Sequence, residues 1–241
     1  MPVRYAVDLE LEDKPQNRPE ALHGLVGDWL DPRDRHTQNR KPWALAPLRE
    51  IQAPLWRFEV GLLDDESETR LLDSVSRGPA VRLDGVTGQV TGAGGEVPRV
   101  LLRSTWAELV DRSAVLTSFR FEFLTPTTFR SGPTTIPLPI PTLVFGHFRS
   151  RWNTFAPADL RPFMPFEDIT LLLSHLEIAT PPTLWFKKAP HVGFVGRVII
   201  EARSRSPERL RALDALASIA PFSGTGAGTT FGMGVTRYVR I

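Results

Sequence analysis

The N-terminal part of the chain switches between strand-like and helix-like patterns of apolar and polar positions. From Arg4 to Leu11 apolar and polar residues alternate, which is typical of a strand with one buried face. From Pro19 to Leu30 apolar residues recur at helical spacing, which predicts an amphipathic helix. The same criteria predict strands over Pro42–Arg49, Leu55–Leu63, Ala80–Leu83, Val86–Thr91 and Arg99–Ser104, a helix over Asp64–Arg77 and a hairpin tip over Gly92–Gly95.

This order of elements, β-α-β-β-α-β, predicts a ferredoxin-like unit. The pattern breaks from Thr105 to Arg112 and then begins again, so we expect one domain over residues 1–108 and another over residues 109–241. The expected fold class is α+β, with two tandem ferredoxin-like domains of the kind also found in RNA-recognition motifs. The two halves show no clear sequence repeat.

The second half has its own alternating and helical stretches. Ser113 to Phe123 places Phe119, Phe121 and Phe123 on one side of a predicted strand. Residues 124–141 contain five prolines and predict irregular structure. The remaining predicted elements are a helix over Thr142–Phe155, a strand over Thr170–Ile178, a hairpin of Leu184–Lys188 with Phe194–Ala202 around His191, a helix capped by Ser206 with Pro207 at its first position, and a last strand over Val235–Ile241.

Composition narrows the functional classes. The chain has 241 residues, 41% of them hydrophobic, which is enough for a substantial core. It contains no cysteine, so disulfides, thiolate catalysis and cysteine-based zinc sites are excluded. Its N-terminus has no apolar signal region, and no run approaches the ~18 apolar residues of a membrane span. We therefore expect a soluble cytoplasmic protein.

Charge is unevenly distributed along the chain. The formal net charge is only +2, yet residues 187–241 hold nine basic and three acidic residues. A basic C-terminal region is compatible with a polyanionic partner such as nucleic acid, although ordinary solvated charges would give the same count.

Five glycines lie close together near the C-terminus, between a predicted helix and the last strand: Gly224, Gly226, Gly228, Gly232 and Gly234. No Gly-Lys-Ser/Thr follows, so the stretch is not a Walker A loop. It leads from helix into strand, the reverse of a dinucleotide-binding turn. A flexible connection and a loop whose amides hold phosphate oxygens both remain open from the residues alone.

The stretch from Pro221 to Tyr238 also resembles the glycine-rich signature of CRISPR-associated endoribonucleases of the RAMP superfamily, which cut precursor CRISPR RNA within its repeats. The segment Phe121–Phe129 and the proline-rich loop after it resemble the Pro-Thr segment of that family. Gly193–Val198 resembles its central β-turn, and His36–Leu48 resembles its catalytic-histidine loop leading into the second strand. The resemblance implies two tandem ferredoxin-like domains, in agreement with the pattern. A base-stacking aromatic motif of ordinary RNA-recognition motifs is absent from the sequence.

The resemblance implies metal-independent RNA cleavage by the 2′-OH, which leaves a 2′,3′-cyclic phosphate and a 5′-OH. Such a reaction needs a base, an acid and positive charge near the phosphate, and histidine suits the first two roles because its pKa lies near working pH. We expect His36 to act as general base or acid, His23 to be a second catalytic or phosphate-contacting group, and Lys41 to stabilise the transition state. The sequence also allows each of these three residues to be an ordinary solvated or boundary residue without a catalytic role.

The remaining histidines and the two tyrosines are weaker candidates for a catalytic role. His147, His175 and His191 are expected to be structural, with contact to RNA as an alternative role for His191, which lies in a predicted turn. Tyr5 and Tyr238 both lie away from the His36 loop in sequence. No pair of histidines has metal-ligand spacing, so we expect no metal and no other cofactor.

Binding of CRISPR repeat RNA is assigned to the five glycines together with basic residues of the C-terminal region, namely Lys187, Lys188, Arg203, Arg205 and Arg237. Precursor crRNA is the expected partner, with subunits of a CRISPR effector complex or a second copy of the chain as further possibilities. A non-cleaving subunit that only holds repeat RNA, and a scaffold whose glycine loop contacts protein, are the alternatives.

Overall fold

The computed structural model describes residues 1–31, 40–92, 96–132, 134–160, 169–186 and 189–241. The N-terminal elements are β1 (Val3–Leu11), α1 (Pro19–Leu30), β2 (Trp43–Gln52), β3 (Leu55–Leu62), α2 (Asp65–Val75), β4 (Ala80–Leu83), β5 (Val86–Thr91) and β6 (Arg99–Arg103). The predicted elements of this half are confirmed, and α1 has its predicted bounds. The predicted hairpin tip lies partly outside the described residues, which omit 93–95.

The N-terminal sheet is antiparallel, with the order β2-β3-β1-β5-β4, and β6 also pairs with β1. β5 pairs with the second half of β1, from Asp8 to Leu11, whereas β6 pairs with its first half, from Val3 to Ala6. The place of the last ferredoxin-like strand beside β1 is therefore shared by two short strands. The core of this unit lies between the sheet and the two helices, whose buried residues include Leu22, Val26, Leu30, Leu71 and Val75.

The C-terminal elements are α3 (Trp106–Asp111), β7 (Ser118–Thr127), β8 (Phe129–Ser131), β9 (Thr134–Ile136), α4 (Pro141–Phe155), β10 (Thr170–Ala179), β11 (Leu184–Phe186), β12 (Ala189–His191), β13 (Phe194–Arg203), α5 (Pro207–Ala217), α6 (Ala220–Ser223) and β14 (Thr236–Arg240). The order of the main antiparallel sheet is β10-β13-β7-β14. Its buried face carries Phe119, Phe121 and Phe123, as the alternation predicted. The tandem ferredoxin-like fold is thus confirmed in both halves.

Three predictions of local structure in this half are wrong. β7 begins at Ser118 rather than Ser113, because the chain after α3 is held in a turn, with the Ala114 amide donating to Asp214 at 2.7 Å. Residues 124–141 are not wholly irregular. β7 continues through Pro126 to Thr127, and the hairpin β8–β9 follows in stretches that contain no proline. β11 pairs with β12, not with β13, so His191 ends a strand instead of lying in a turn.

The predicted break between the units is itself a helix, α3. Thr105 and Glu108 form a capping box at its start, and each side chain accepts a hydrogen bond from the other residue's backbone amide. Trp106 and Leu109 are buried in the C-terminal core, where the Trp106 ring meets that of Trp152 edge-on at 4.9 Å. We propose that the units divide at this helix, near the predicted boundary after residue 108.

The two units are joined through α6, which packs against β1, β2 and β3 of the N-terminal sheet. A side chain at Gly61 on β3 would collide with the backbone carbonyl of Phe222, so the two backbones can approach only because this residue is glycine. The Arg4 guanidinium donates to the Pro221 carbonyl across the same contact. Among the helices of the described ranges, none is long and apolar enough to cross a bilayer.

Candidate functional site

His23 connects helix α1 to the glycine loop, which we define as residues 224–234. Its ring stacks on that of Phe231, with centroids 4.0 Å apart and planes inclined by 14°, and it lies 5.3 Å from the ring of Trp43. Its Nδ1 is 3.0 Å from the Thr230 carbonyl oxygen. Because a carbonyl oxygen only accepts, Nδ1 carries the proton in this contact and Nε2 carries the lone pair of the neutral ring. The ring is therefore oriented, with its basic nitrogen opposite the loop.

Asp31 and Lys41 join the two ends of the segment that contains His36. The Lys41 ammonium pairs with Oδ2 of Asp31, and the indole of buried Trp43 donates to Oδ1 of the same carboxylate at 3.0 Å. The side chains of Lys41 and Asp31 are only 14% and 7% exposed. Arg40 donates to the Thr154 hydroxyl on α4 at 3.0 Å. His36 itself lies outside the described residues, which omit 32–39.

These contacts form one continuous line. It runs from the Asp31–Lys41 pair through Trp43 to His23, and from His23 to Phe231 in the glycine loop. The structure thus connects both ends of the predicted catalytic-histidine segment to the glycine-rich signature. Lys41, predicted to stabilise a transition state, also has a structural role here because its charge is neutralised by Asp31.

The glycine loop is a fixed, hydrogen-bonded structure and not a flexible connection. Its five glycines have φ between 62° and 83°, a region that other residues enter only with strain. Amide–carbonyl bonds tie the loop to itself and to the end of β7. They include Thr225 to Gly234 at 2.8 Å, Ala227 to Thr128 at 2.7 Å and Gly234 to Pro126 at 3.0 Å. Because these amides donate to oxygens of the protein, they are not available to phosphate. The predicted phosphate contacts of the glycine loop would have to be made by its other groups.

Helix α4 carries a buried basic face that the sequence analysis did not single out. Arg151 is 8% exposed, and its Nε and Nη2 have no hydrogen-bond partner within the described residues. Burial and the charge of Arg40 lower its pKa to about 10, so it stays charged at neutral pH. The signal was available, because Arg151 follows Val144 and Phe148 by seven and three positions and so shares their buried helix face.

His147 lies one turn before Arg151 on α4. Burial, together with the neighbouring Arg151 charge, lowers its pKa to about 3, and a hydrogen bond with the Gly224 backbone opposes this shift. The neutral imidazole therefore packs under the glycine loop. This supports the predicted structural role of His147.

Two further predicted groups have clear structural surroundings. The Tyr5 hydroxyl donates to Glu68 at 2.6 Å, and burial raises its pKa to about 12. The Tyr238 hydroxyl donates to the buried Asp214 at 2.7 Å, and burial again raises its pKa. His175, predicted to be structural, lies on β10 at the edge of its sheet, and its side chain is half-exposed.

The predicted RNA-binding residues do not meet at one place. Arg237 lies on β14 with Glu122 at 3.1 Å and is 63% exposed. Arg203 and Arg205 line a separate groove of about 1260 Å³ at the other end of the C-terminal sheet. Lys187 and Lys188 lie outside the described residues. Within the described part of the chain no three histidine or acidic side chains are grouped as metal ligands.

The family model described as CRISPR-associated endoribonuclease Cas6 matches residues 121–236. The solved product complex of Cas6 (TTHB231), a protein of Thermus thermophilus, is 26% identical with a TM-score of 0.79, covering 99% of this chain and 100% of that chain. These matches support assignment of the chain to the CRISPR repeat-processing family. The product complex of Cas6 (TTHA0078) is 27% identical with a TM-score of 0.77, and each chain is covered completely.

More distant structures share the fold. A Cas6-related protein from Pyrococcus furiosus is 13% identical with a TM-score of 0.63, covering 100% of this chain and 99% of that chain. Comparison with curated protein sequences gives no match. The resemblance drawn from the glycine-rich signature is confirmed, and the Cas6 match includes that signature almost to its end.

Proposed function

We propose that this protein is a metal-independent endoribonuclease that binds CRISPR repeat RNA and cleaves precursor crRNA within the repeat. The observation that carries the proposal is the likeness, over nearly the whole chain, to Cas6 proteins solved as product and substrate-mimic complexes. The line of contacts from the His36 segment to the glycine loop supports it, because it holds candidate catalytic groups beside the family signature.

The proposed reaction starts at the ribose 2′-OH on the 5′ side of the cut. One histidine takes the 2′-OH proton while the 2′-oxygen attacks phosphorus, and the bond from phosphorus to the 5′-oxygen breaks. An acid returns a proton to that 5′-oxygen, so the products are a 2′,3′-cyclic phosphate and a 5′-OH. His36 is proposed as the principal base or acid and His23 as its partner, since the Thr230 carbonyl fixes the tautomer that leaves Nε2 basic.

Lys41 and the basic residues serve charge stabilisation and binding in this proposal. The pairing of Lys41 with Asp31 holds its ammonium at the base of the His36 segment. To stabilise the transition state, Lys41 would have to donate to the phosphate while it remains paired with Asp31 or after it exchanges that partner. RNA backbone contacts beside the cleavage site are assigned to the glycine loop, Arg237, Lys187 and Lys188, as the resemblance implies. Arg203 and Arg205 line a groove remote from that loop, so their contacts are assigned to RNA outside the cleaved repeat segment. Effector-complex subunits and a second copy of the chain remain proposed partners.

The deciding experiment is cleavage of end-labelled repeat RNA in EDTA by the wild type and by His36→Ala. We expect one product with a 2′,3′-cyclic phosphate from the wild type, and no product from His36→Ala although gel-shift binding persists. Tight binding without any cut by the wild type would instead establish a repeat-RNA-binding subunit. Loss of activity in EDTA with recovery on Mg²⁺ addition would overturn metal independence.

A further inference from the structure

A basic groove lies at the end of the C-terminal sheet that is remote from the glycine loop. It is lined by the end of β13, the start of α5 and the starts of β7 and β10, and its volume is about 1260 Å³. Arg203, Arg205 and Arg209 contribute guanidinium groups to it, and Glu201 is the only acidic residue among its described lining residues. We call it the distal groove.

Strand register shows how far the distal groove is from the candidate site. Thr236, two residues after the glycine loop, pairs with Phe123 on β7, while Glu201, which lines the groove, pairs with Ser118. Ser118 and Phe123 are five positions apart on the strand, which is about 17 Å at 3.4 Å per residue. The groove and the glycine loop are therefore separate surfaces, and an RNA held at the loop contacts the groove only through nucleotides away from the loop.

Arg203 and Arg205 in the distal groove differ from three other arginines of this sheet in their pairing. On the open sheet face, Arg120, Arg197 and Arg237 all approach the carboxylate of Glu122, at 3.4, 3.7 and 3.1 Å. Arg203 and Arg205 are exposed, and neither pairs with a carboxylate of the described residues. Their charge is therefore available to an external anion.

The rest of the lining indicates which anion. Thr117, Ser118, Thr170 and Ser204 supply hydroxyl groups, which can donate hydrogen bonds to phosphate oxygens. The described lining residues are thus rich in guanidinium and hydroxyl groups and include no aromatic ring. This set of groups suits a repeating phosphodiester backbone.

We propose that the distal groove binds the sugar-phosphate backbone of the single-stranded RNA that continues beyond the cleaved repeat segment. This inference rests on the proposed function, because it takes repeat RNA as the substrate. It adds a second binding site, which makes long precursor RNA a better ligand than the isolated repeat and leaves the cleavage step itself unchanged.

The test compares the isolated repeat with the same repeat carrying a single-stranded extension on its 5′ or 3′ side. The variant is Arg203→Gln/Arg205→Gln, and the control is Arg77→Gln/Arg82→Gln, which removes the same charge from exposed positions of the N-terminal unit. Binding is measured as Kd against salt concentration, and cleavage as the single-turnover rate constant at saturating protein.

For one of the extended RNAs, we expect the groove variant to reduce the slope of log Kd against log salt by about 1.4, since each lost single-strand phosphate contact removes about 0.7. With 1 M salt as reference, this corresponds to about 25-fold weaker binding at 0.1 M. Binding of the isolated repeat, the saturating cleavage rate and the control variant should be unchanged. Arg203→Lys/Arg205→Lys should keep most of the slope.

Unchanged affinity and slope for both extended RNAs would overturn the inference and leave a protein partner as the occupant of the groove. An equal loss for the isolated repeat would also overturn it, because the groove would then belong to the main repeat site. Failure of the proposed function is a separate result. A wild type that binds extended RNA through the groove and never cuts would contradict the nuclease and not the groove.

Discussion

His23 and Phe231 are 208 residues apart in sequence, yet their rings stack with centroids 4.0 Å apart. The contact joins the first helix of the N-terminal unit to the glycine loop of the C-terminal unit, and the hydrogen bond from His23 Nδ1 to the Thr230 carbonyl lies beside it. The same side chain thus has a structural role at the domain junction and a proposed role in proton transfer. Substitutions that preserve one role and remove the other can separate them.

We predict that His23→Asn keeps the hydrogen bond of the junction and loses catalysis. The asparagine amide can still donate to the Thr230 carbonyl but cannot accept or release a proton near neutral pH. Cleavage should fall by about 10²–10⁴-fold, the usual contribution of a general acid or base, while Kd changes little. Tm should fall because the ring stack on Phe231 is lost, and it should fall further in His23→Ala, which also loses the hydrogen bond to Thr230. Cleavage by His23→Asn within a few-fold of the wild type would show that His23 serves the junction alone.

Gly234→Ala should destabilise the protein, because Gly234 has φ +70° and an added Cβ would collide with the Thr225 carbonyl. We expect a loss of about 1–3 kcal/mol in the free energy of unfolding, measured with urea, from the positive φ alone. Gly24→Ala on α1 is the matched control, since a Cβ there has open space, and it should stabilise by about 0.5–1 kcal/mol. Equal changes in the free energy of unfolding for Gly234→Ala and Gly24→Ala would contradict this prediction, because they would show that the loop accommodates a side chain without strain.

Stability should fall in mild acid because of His147. In the folded protein burial and Arg151 lower its pKa to about 3, whereas an unfolded histidine titrates near 6.5. Between these values only the unfolded chain binds the proton, so the free energy of unfolding drops as pH falls below about 6.5, by up to about 1.4 kcal/mol per pH unit. Above that pH both states are neutral and the contribution vanishes.

The measurement is urea unfolding of the wild type, His147→Gln and the exposed-site control His175→Gln from pH 7 to pH 5. His147→Gln should remove most of this part of the pH dependence and His175→Gln should not. If wild type and His147→Gln lose stability in parallel, other groups cause the acid sensitivity.

Asp31 and Lys41 should behave as one unit. Asp31→Asn leaves the largely buried Lys41 ammonium without its partner, and Lys41→Met leaves the carboxylate of Asp31 with only the Trp43 indole. Each substitution should lower stability and cleavage, and the double variant should lose no more than either alone, because the interaction is already broken. A much larger loss of cleavage in Lys41→Met than in Asp31→Asn, at equal Tm, would indicate that the ammonium contacts RNA directly.

Secondary-structure elements whose sequence signals lie within one short stretch of chain were predicted correctly. Helix α1 begins at Pro19 and buries Leu22, Val26 and Leu30 at regular spacing, and Ser206 caps α5 by accepting from the Arg209 amide. Pairings between distant segments could not be predicted this way. The sharing of β1 by β5 and β6, and the pairing of β11 with β12, depend on which edge is available once the other strands are in place.

The same difference between local signals and contacts of distant segments applies to the candidate site. The glycine cluster and its family resemblance were visible in the sequence, because glycine alone supplies positive φ at five nearby positions. Its contact with His23 was not visible, since no local pattern reports which helix the loop packs against. Buried Arg151 was not singled out in the sequence, although its position on α4 follows the apolar face of the helix.

The domain junction also has a consequence for how the protein matures. Arg4 contacts Pro221 and His23 contacts Thr230, so β1 and α1 are completed by segments more than 200 residues later in the chain. Contacts of such long sequence separation form late, after loop closure over the intervening chain. Under the proposed function, RNA-cutting activity would begin only after the glycine loop has been synthesised and has docked on the N-terminal unit.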